Sequence, residues 1–351
     1  MQTWRRTCSL VLTLALFGLM LQAETLTLSS TFVNKVKNKA TFPLQLELDA
    51  HLTSPHRIGR SGDDGDIHMA GRSDDVQLPM VAEIMNAGLD PQTPTVDDMN
   101  GASSGQIVPV AGVWRIWFEH PSPGDQVQGD PVDVPANSNP DHVFEIHPIT
   151  NFDGQDIADS SLVPIAKGQK TYEAYPAQTA FAAYDKLTAT ISATDSAVII
   201  TSGKAGYNYA EFIIELAGQP QLASQNDPND NGVFVLANVY DLSDPETPVT
   251  SDVRRMVFVE NTEPAKQVMA LAKGGRMHVL GVPRVNLADV AALGAVDSVS
   301  GALPYEMIIV AVLPDPGGPA PAPAVAAGKP PLGKPASGKG HKKHVPSGQN
   351  P

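Results

Sequence analysis

From Thr41 to His51 the residues alternate: Leu44, Leu46 and Leu48 point one way while Gln45, Glu47 and Asp49 point the other. A period of two over this length marks a half-buried strand. Similar runs follow at Asp66 to Ala70, Pro79 to Met85, Ile107 to Phe118 and His142 to Thr150. Short strands at this spacing suggest a small barrel or sandwich. A second set lies at Ala210 to Leu216, Gly232 to Tyr240, Arg254 to Glu260, Met277 to Val282 and Tyr305 to Leu313.

Between the third and fourth strands of the second set the sequence predicts a helix. Thr262 is its N-cap, Pro264 lies in the first turn, Val268, Met269 and Ala272 share a face, and Gly274 stops it. Three strands, a helix and two strands is the order of the OB-fold, a five-stranded Greek-key barrel. The stretch from Ala265 to Gly281 (AKQVMALAKGGRMHVLG) resembles the helix-to-strand segment of single-stranded-DNA-binding OB domains. The first set has the same order, but Pro91 and Pro94 make its segment from Ala87 to Gly105 a poor helix. A further beta-like stretch, Leu187 to Thr201, suits either a hairpin added to the second domain or a bridge between the two. The expected fold is therefore all-β: two OB-like β-barrel domains, residues 24–155 and 156–313, with at most one short helix each.

Residues 1–23 read as a secretory signal peptide: Arg5 and Arg6, an uncharged Leu-rich run from Ser9 to Leu21, and a small residue at Ala23. The run is too short for a membrane span, and no later segment is one. Cys8 is the only cysteine, so a chain without its signal has no disulfide or thiolate site. These features predict an exported bacterial protein, periplasmic or secreted. From Pro314 onward the composition turns to Pro, Gly, Ala and Lys, and a disordered tail is expected over 314–351. The whole chain is at −14; the signal's two arginines and the tail's net +4 leave the body near −20. On that charge nucleic acid is an unlikely partner, since phosphate binding needs clustered Lys and Arg.

The candidate chemistry lies in the first domain. Asp64, Asp66 and His68 (DDGDIH) alternate, Glu83 interrupts an apolar strand, and Glu145 and His147 share a face opposite Phe144 and Ile146. The spaced blocks DGDIH, VAEI, GVWRIWFEH and HVFEIHPI resemble a group of small uncharacterised bacterial proteins with a D-G-D-x-H motif and a closing E-[IL]-H-P, over roughly residues 60–150. That resemblance implies no activity. The long insert from Pro121 to Asn139 sets this chain apart from the pattern and puts barrel closure in question.

Three readings of Asp66, His68, Glu83, Glu145 and His147 stand side by side. They can form a structural network paired with Arg115, a divalent-metal site suited to zinc, manganese or iron, or a hydrolytic centre in which a metal activates water for phosphoester cleavage. No HExxH pattern, phosphate loop or triad spacing accompanies them. Trp114, Ile116 and Phe118 share one face, with Arg115 and Trp117 on the other. One tryptophan is expected in the core, while the other suits either an exposed stacking platform for a sugar or a base or a partly covered surface position, which makes Trp114, Trp117 and Arg115 candidate ligand-binding residues. Asp227, Asn229, Asn231 and Gly232 imitate half a calcium loop, but Asn238 stands where a bidentate Glu is needed, so a turn is the better reading. The leading functional expectation is an exported binding or assembly module for an envelope or extracellular ligand. A metal-dependent hydrolase is the alternative.

Overall fold

The computed structural model describes residues 23–57, 64–121, 124–162 and 174–314. The expected signal peptide over 1–23 and the expected tail over 314–351 lie, but for Ala23 and Pro314, outside the described residues.

Alternating burial along each run curls the strands into two closed barrels. Barrel 1 consists of Thr41–His51, Ile67–Arg72, Met80–Ile84, Gln106–His120 and His142–Phe152. Its first strand pairs antiparallel with the second and fourth, and the third closes on the fifth in parallel, with Met80 opposite Phe144 and Ala82 opposite Ile146. Barrel 2 consists of Tyr209–Leu216, Val233–Asp241, Arg254–Phe258, Arg276–Val285 and Tyr305–Val312. Its third and fifth strands are also parallel, Met256 facing Met307, and its first and second close the barrel, Ile213 facing Tyr240. Both have the OB strand order 1-2-3-5-4-1.

Each barrel carries its helix between strands three and four. In barrel 1, Thr93–Gly101 is helical despite its prolines, because Pro91 and Pro94 sit in first turns where no N–H is needed. In barrel 2 the helix is Glu263–Met269, shorter than expected. Thr262 precedes it without a side-chain cap, its hydroxyl donating instead to the Val259 carbonyl at 2.6 Å. Met269 is 41% exposed, so only Val268 of the expected face is buried helix.

A third sheet has the order Val296–Ala302, Thr188–Ala193, Ala197–Ser202, Glu24–Ser29, Asp125–Val127. The uncertain stretch near 187–201 is thus a hairpin in a sheet of its own, shared by segments from both halves. The insert beginning at Pro121 leaves barrel 1 closed and sends Asp125–Val127 into this sheet.

Between the barrels, Met85 and Val113 pack with Leu280, Val282, Ile308 and Val310. Two arginines with no exposed surface cross this seam. Arg115 donates through Nε to the Pro283 carbonyl at 2.9 Å. Arg284 donates through Nη1 to the Trp114 carbonyl at 3.0 Å and through Nε to Glu306 at 2.6 Å, its guanidinium 3.7 Å from the Trp114 ring. Burial pulls that guanidinium down to about 10, against the opposing pull of Glu306. It therefore stays charged at neutral pH.

The expected surface platform is corrected here. Trp114 and Trp117 are both 0% exposed, because barrel 2 covers the outer face of their strand as the barrel interior covers the inner one. Trp114 donates to the Lys39 carbonyl at 2.7 Å, and Trp117 packs edge-on against Tyr184. Arg115 is likewise committed, to Glu145 at 2.6 Å and Glu119 at 3.0 Å. The turn at 227–232 behaves as a turn: Asp227 accepts from the Asn229 backbone at 2.8 Å, and Asn231 accepts from Ala40 and Thr41, both at 2.9 Å. Gly232 has φ +101°, and a Cβ there would lie 2.5 Å from that of Ala40.

Candidate metal centre at the seam between the barrels

Strand pairing explains why distant residues meet. His68 lies opposite Glu83, Val81 opposite Glu145, and Arg115 opposite Glu145. These polar side chains therefore share the outer face of strands two to five of barrel 1, the face turned towards barrel 2. The interior takes Met69, Ala82 and Ile146 instead.

Asp66, Glu83 and His147 offer ligand atoms that all lie within 4.8 Å of one another. Asp66 and His147 are 1% and 0% exposed, and Glu83 is partly buried. The His147 Nε2 atom lies 2.6 Å from the Tyr209 hydroxyl, which donates to Asp66 Oδ2 at 2.6 Å. Asp66 Oδ1 accepts from the Asn86 backbone at 3.0 Å. The other imidazole nitrogen, Nδ1, is buried without a hydrogen-bond partner, 3.6 Å from both Glu83 Oε2 and Glu145 Oε2. One imidazole and two carboxylates form a donor set that can hold a metal ion.

Two of the five expected residues stand beside that group. Glu145 is held by Arg115 and by His142 Nε2 at 3.0 Å. His68 turns Nδ1 to the Ser138 carbonyl at 2.8 Å and its ring against His56, which bonds Asp64 at 3.0 Å. The insert thus covers this face, and Pro140 likewise accepts from His142 Nδ1 at 2.7 Å.

The electrostatics follow from burial and charge. Burial, with Asp64 nearby, raises the Asp66 carboxyl, and burial raises Glu83 to about 8 against the pull of His147. Burial would raise Glu145 too, but Arg115 and His142 hold it well below the carboxylate range. Burial would lower His147, yet Glu83, Asp66 and Glu145 hold it well above its ordinary value. The group therefore stores protons that a bound cation would displace.

Sequence reasoning missed Tyr209, which belongs to an apolar strand of the other barrel. It also missed His142, although its spacing from Glu145 was available as a signal.

These features define a double OB-barrel protein with a buried histidine and carboxylate centre at its seam. No protein-family model matches the chain. No curated protein matches it either. Among solved structures, it is similar to the wild-type single-stranded DNA binding protein from Thermus aquaticus, at 10% identity over 80% of this chain and 95% of that chain, with a TM-score of 0.20. A deletion mutant of that protein gives 9% identity over 78% and 92%, with a TM-score of 0.19. Likeness at this level carries no argument about a ligand. The expectation that nucleic acid is an unlikely partner is not supported by the comparisons: the two solved structures above are titled single-stranded DNA binding proteins.

Proposed function

We propose that this chain is an exported binding module in which a divalent metal ion, held by Asp66, Glu83 and His147, fastens the seam between two OB barrels. The observation that carries the reading is the convergence of Asp66, Glu83 and His147, whose ligand atoms all lie within 4.8 Å of one another, with His147 Nδ1 buried, without a hydrogen bond and 3.6 Å from Glu83. A buried nitrogen that makes no hydrogen bond costs free energy, and a metal ion bound there in place of its proton removes the cost. Mixed imidazole and carboxylate donors suit zinc, manganese or ferrous iron. Tyr209 ties the centre to barrel 2, and Asp66 and His147 are closed to solvent, which favours a structural ion over a hydrolytic one. Export rests on the signal-like start of the sequence.

Elemental analysis of the purified chain tests the proposal. About one transition-metal ion per chain is expected, lost in Glu83→Ala and His147→Ala variants that retain the wild-type circular dichroism. A metal-free protein that binds no added zinc, manganese or iron would remove the reading.

A further inference from the structure

The third sheet ends in an open edge. Val296–Ala302 pairs with Thr188–Ala193 on one side, and among the described residues no strand pairs with its other side. Every residue of the strand except Val296 is exposed, Val299 at 39%. Edge strands are commonly guarded by a lysine, a proline or a bulge. Here the shift in register falls at the Asp297 end, and Val299 to Ala302 pair regularly with uncharged side chains. The opposite edge of the sheet is only the short Asp125–Val127.

The free hydrogen-bonding groups follow from the ladder. The Leu303 N–H donates to the Leu187 carbonyl at 2.9 Å, so Leu303 bonds inward. Alternation along an antiparallel pair then turns Gly301 and Val299 inward as well, opposite Ala189 and Ile191. Ser298, Ser300 and Ala302 therefore present N–H and C=O to the open side. Side chains alternate between the two faces. Val299 and Gly301 share the face of Ala189 and Ile191, both buried, while Ser300 Oγ lies 2.9 Å from Thr190 Oγ on the other. A Cβ built on Gly301 would meet nothing within 4 Å.

We infer that this strand pairs with the same strand of a second copy of the chain, antiparallel about a two-fold axis at Ser300. In that register Ser300 exchanges hydrogen bonds with its counterpart, and Ser298 with Ala302. Val299 of each copy then lies opposite Gly301 of the other, so the exposed valine fills the open space beside the glycine. That reciprocal fit selects a second copy over an unrelated strand. No charge lies between Ser298 and Ala302, so two bodies near −20 meet there without like charges directly opposed. The contact is small, which makes the dimer concentration-dependent. The inference goes beyond the metal reading and does not depend on it.

The test is sedimentation equilibrium of the chain beginning at Glu24, from about 10 to 300 μM in salt that screens the acidic bodies. The mass should rise from one chain towards two across that range. Ser300→Lys sets two ammonium groups opposite each other while keeping the backbone N–H, so it should stay monomeric with unchanged circular dichroism. The chain from Glu24 has no cysteine, so Ser300→Cys should form a disulfide-linked dimer on mild oxidation, its Cα atoms about 5.5 Å apart. Ser196→Cys, exposed at the hairpin turn of the same sheet, should not. A monomer at about 300 μM, a dimer that Ser300→Lys leaves intact, or equal linking through Ser196→Cys would each overturn the inference.

Discussion

Substituting Arg284→Met removes a buried guanidinium from the seam while keeping much of the side chain's volume. Three acceptors lose a donor: Glu306 at 2.6 Å, the Trp114 carbonyl at 3.0 Å and the Lys39 carbonyl at 3.1 Å. Two of them keep another, since Arg255 still reaches Glu306 at 2.7 Å and Trp114 Nε1 still reaches Lys39 at 2.7 Å. Breaking a buried ion pair costs about 3–5 kcal/mol, and the surviving donors place this case at the lower end, about 3 kcal/mol. That is a large share of a typical domain stability of about 5–15 kcal/mol. Urea denaturation should show a lower midpoint with an unchanged slope. A loss below about 1 kcal/mol for Arg284→Met would refute the view that this residue locks the barrels.

Further outcomes follow from other contacts. In a chain beginning at Glu24, Trp114 and Trp117 are both sealed, so fluorescence should be blue-shifted and resist acrylamide; strong quenching of half the signal would place one at the surface. Gly112→Ala should cost at least about 3 kcal/mol in urea or prevent folding, because a Cβ there would meet Ile146 Cγ2 at 2.4 Å and the Pro148 carbonyl at 2.5 Å. Burial would raise the Asp241 carboxyl, but the Gln178 backbone and Ser243 hold it below its ordinary value while it caps the helix Ala177–Tyr184. A depressed folded pKa stabilises fully above the unfolded value near about 3.9 and is lost as pH falls through the folded one. Asp241→Ala should therefore cost about 1 kcal/mol at pH 7, with the gap to wild type closing below about pH 4.

Strands were legible because each barrel strand buries alternate residues, and Thr41–His51 was readable to the residue. The helix at Thr93–Gly101 was obscured because proline disfavours helix interiors but is tolerated in a first turn, and the sequence does not mark where the turn begins. The third sheet was legible only at its hairpin, Thr188–Ala193 with Ala197–Ser202: its five strands come from four separated places, and non-local pairing leaves no local pattern. The same holds at the centre. Asp66, Glu83 and His147 could be named from their polarity inside apolar strands, but Tyr209 could not, because the packing of barrel 2 places it there. The tryptophans misled because alternation gives the side of a strand and cannot say that both sides are covered.

The ion proposed to sit among Asp66, Glu83 and His147 at the seam of the two barrels can be located by crystallography. Diffraction from crystals grown with zinc, recorded on both sides of the zinc absorption edge, tests it most directly. An anomalous peak bonded to His147 and to the Asp66 and Glu83 carboxylates at about 2.0–2.2 Å is expected. An ordered site with no peak, and His147 Nδ1 bonded to water or directly to Glu83, would contradict it.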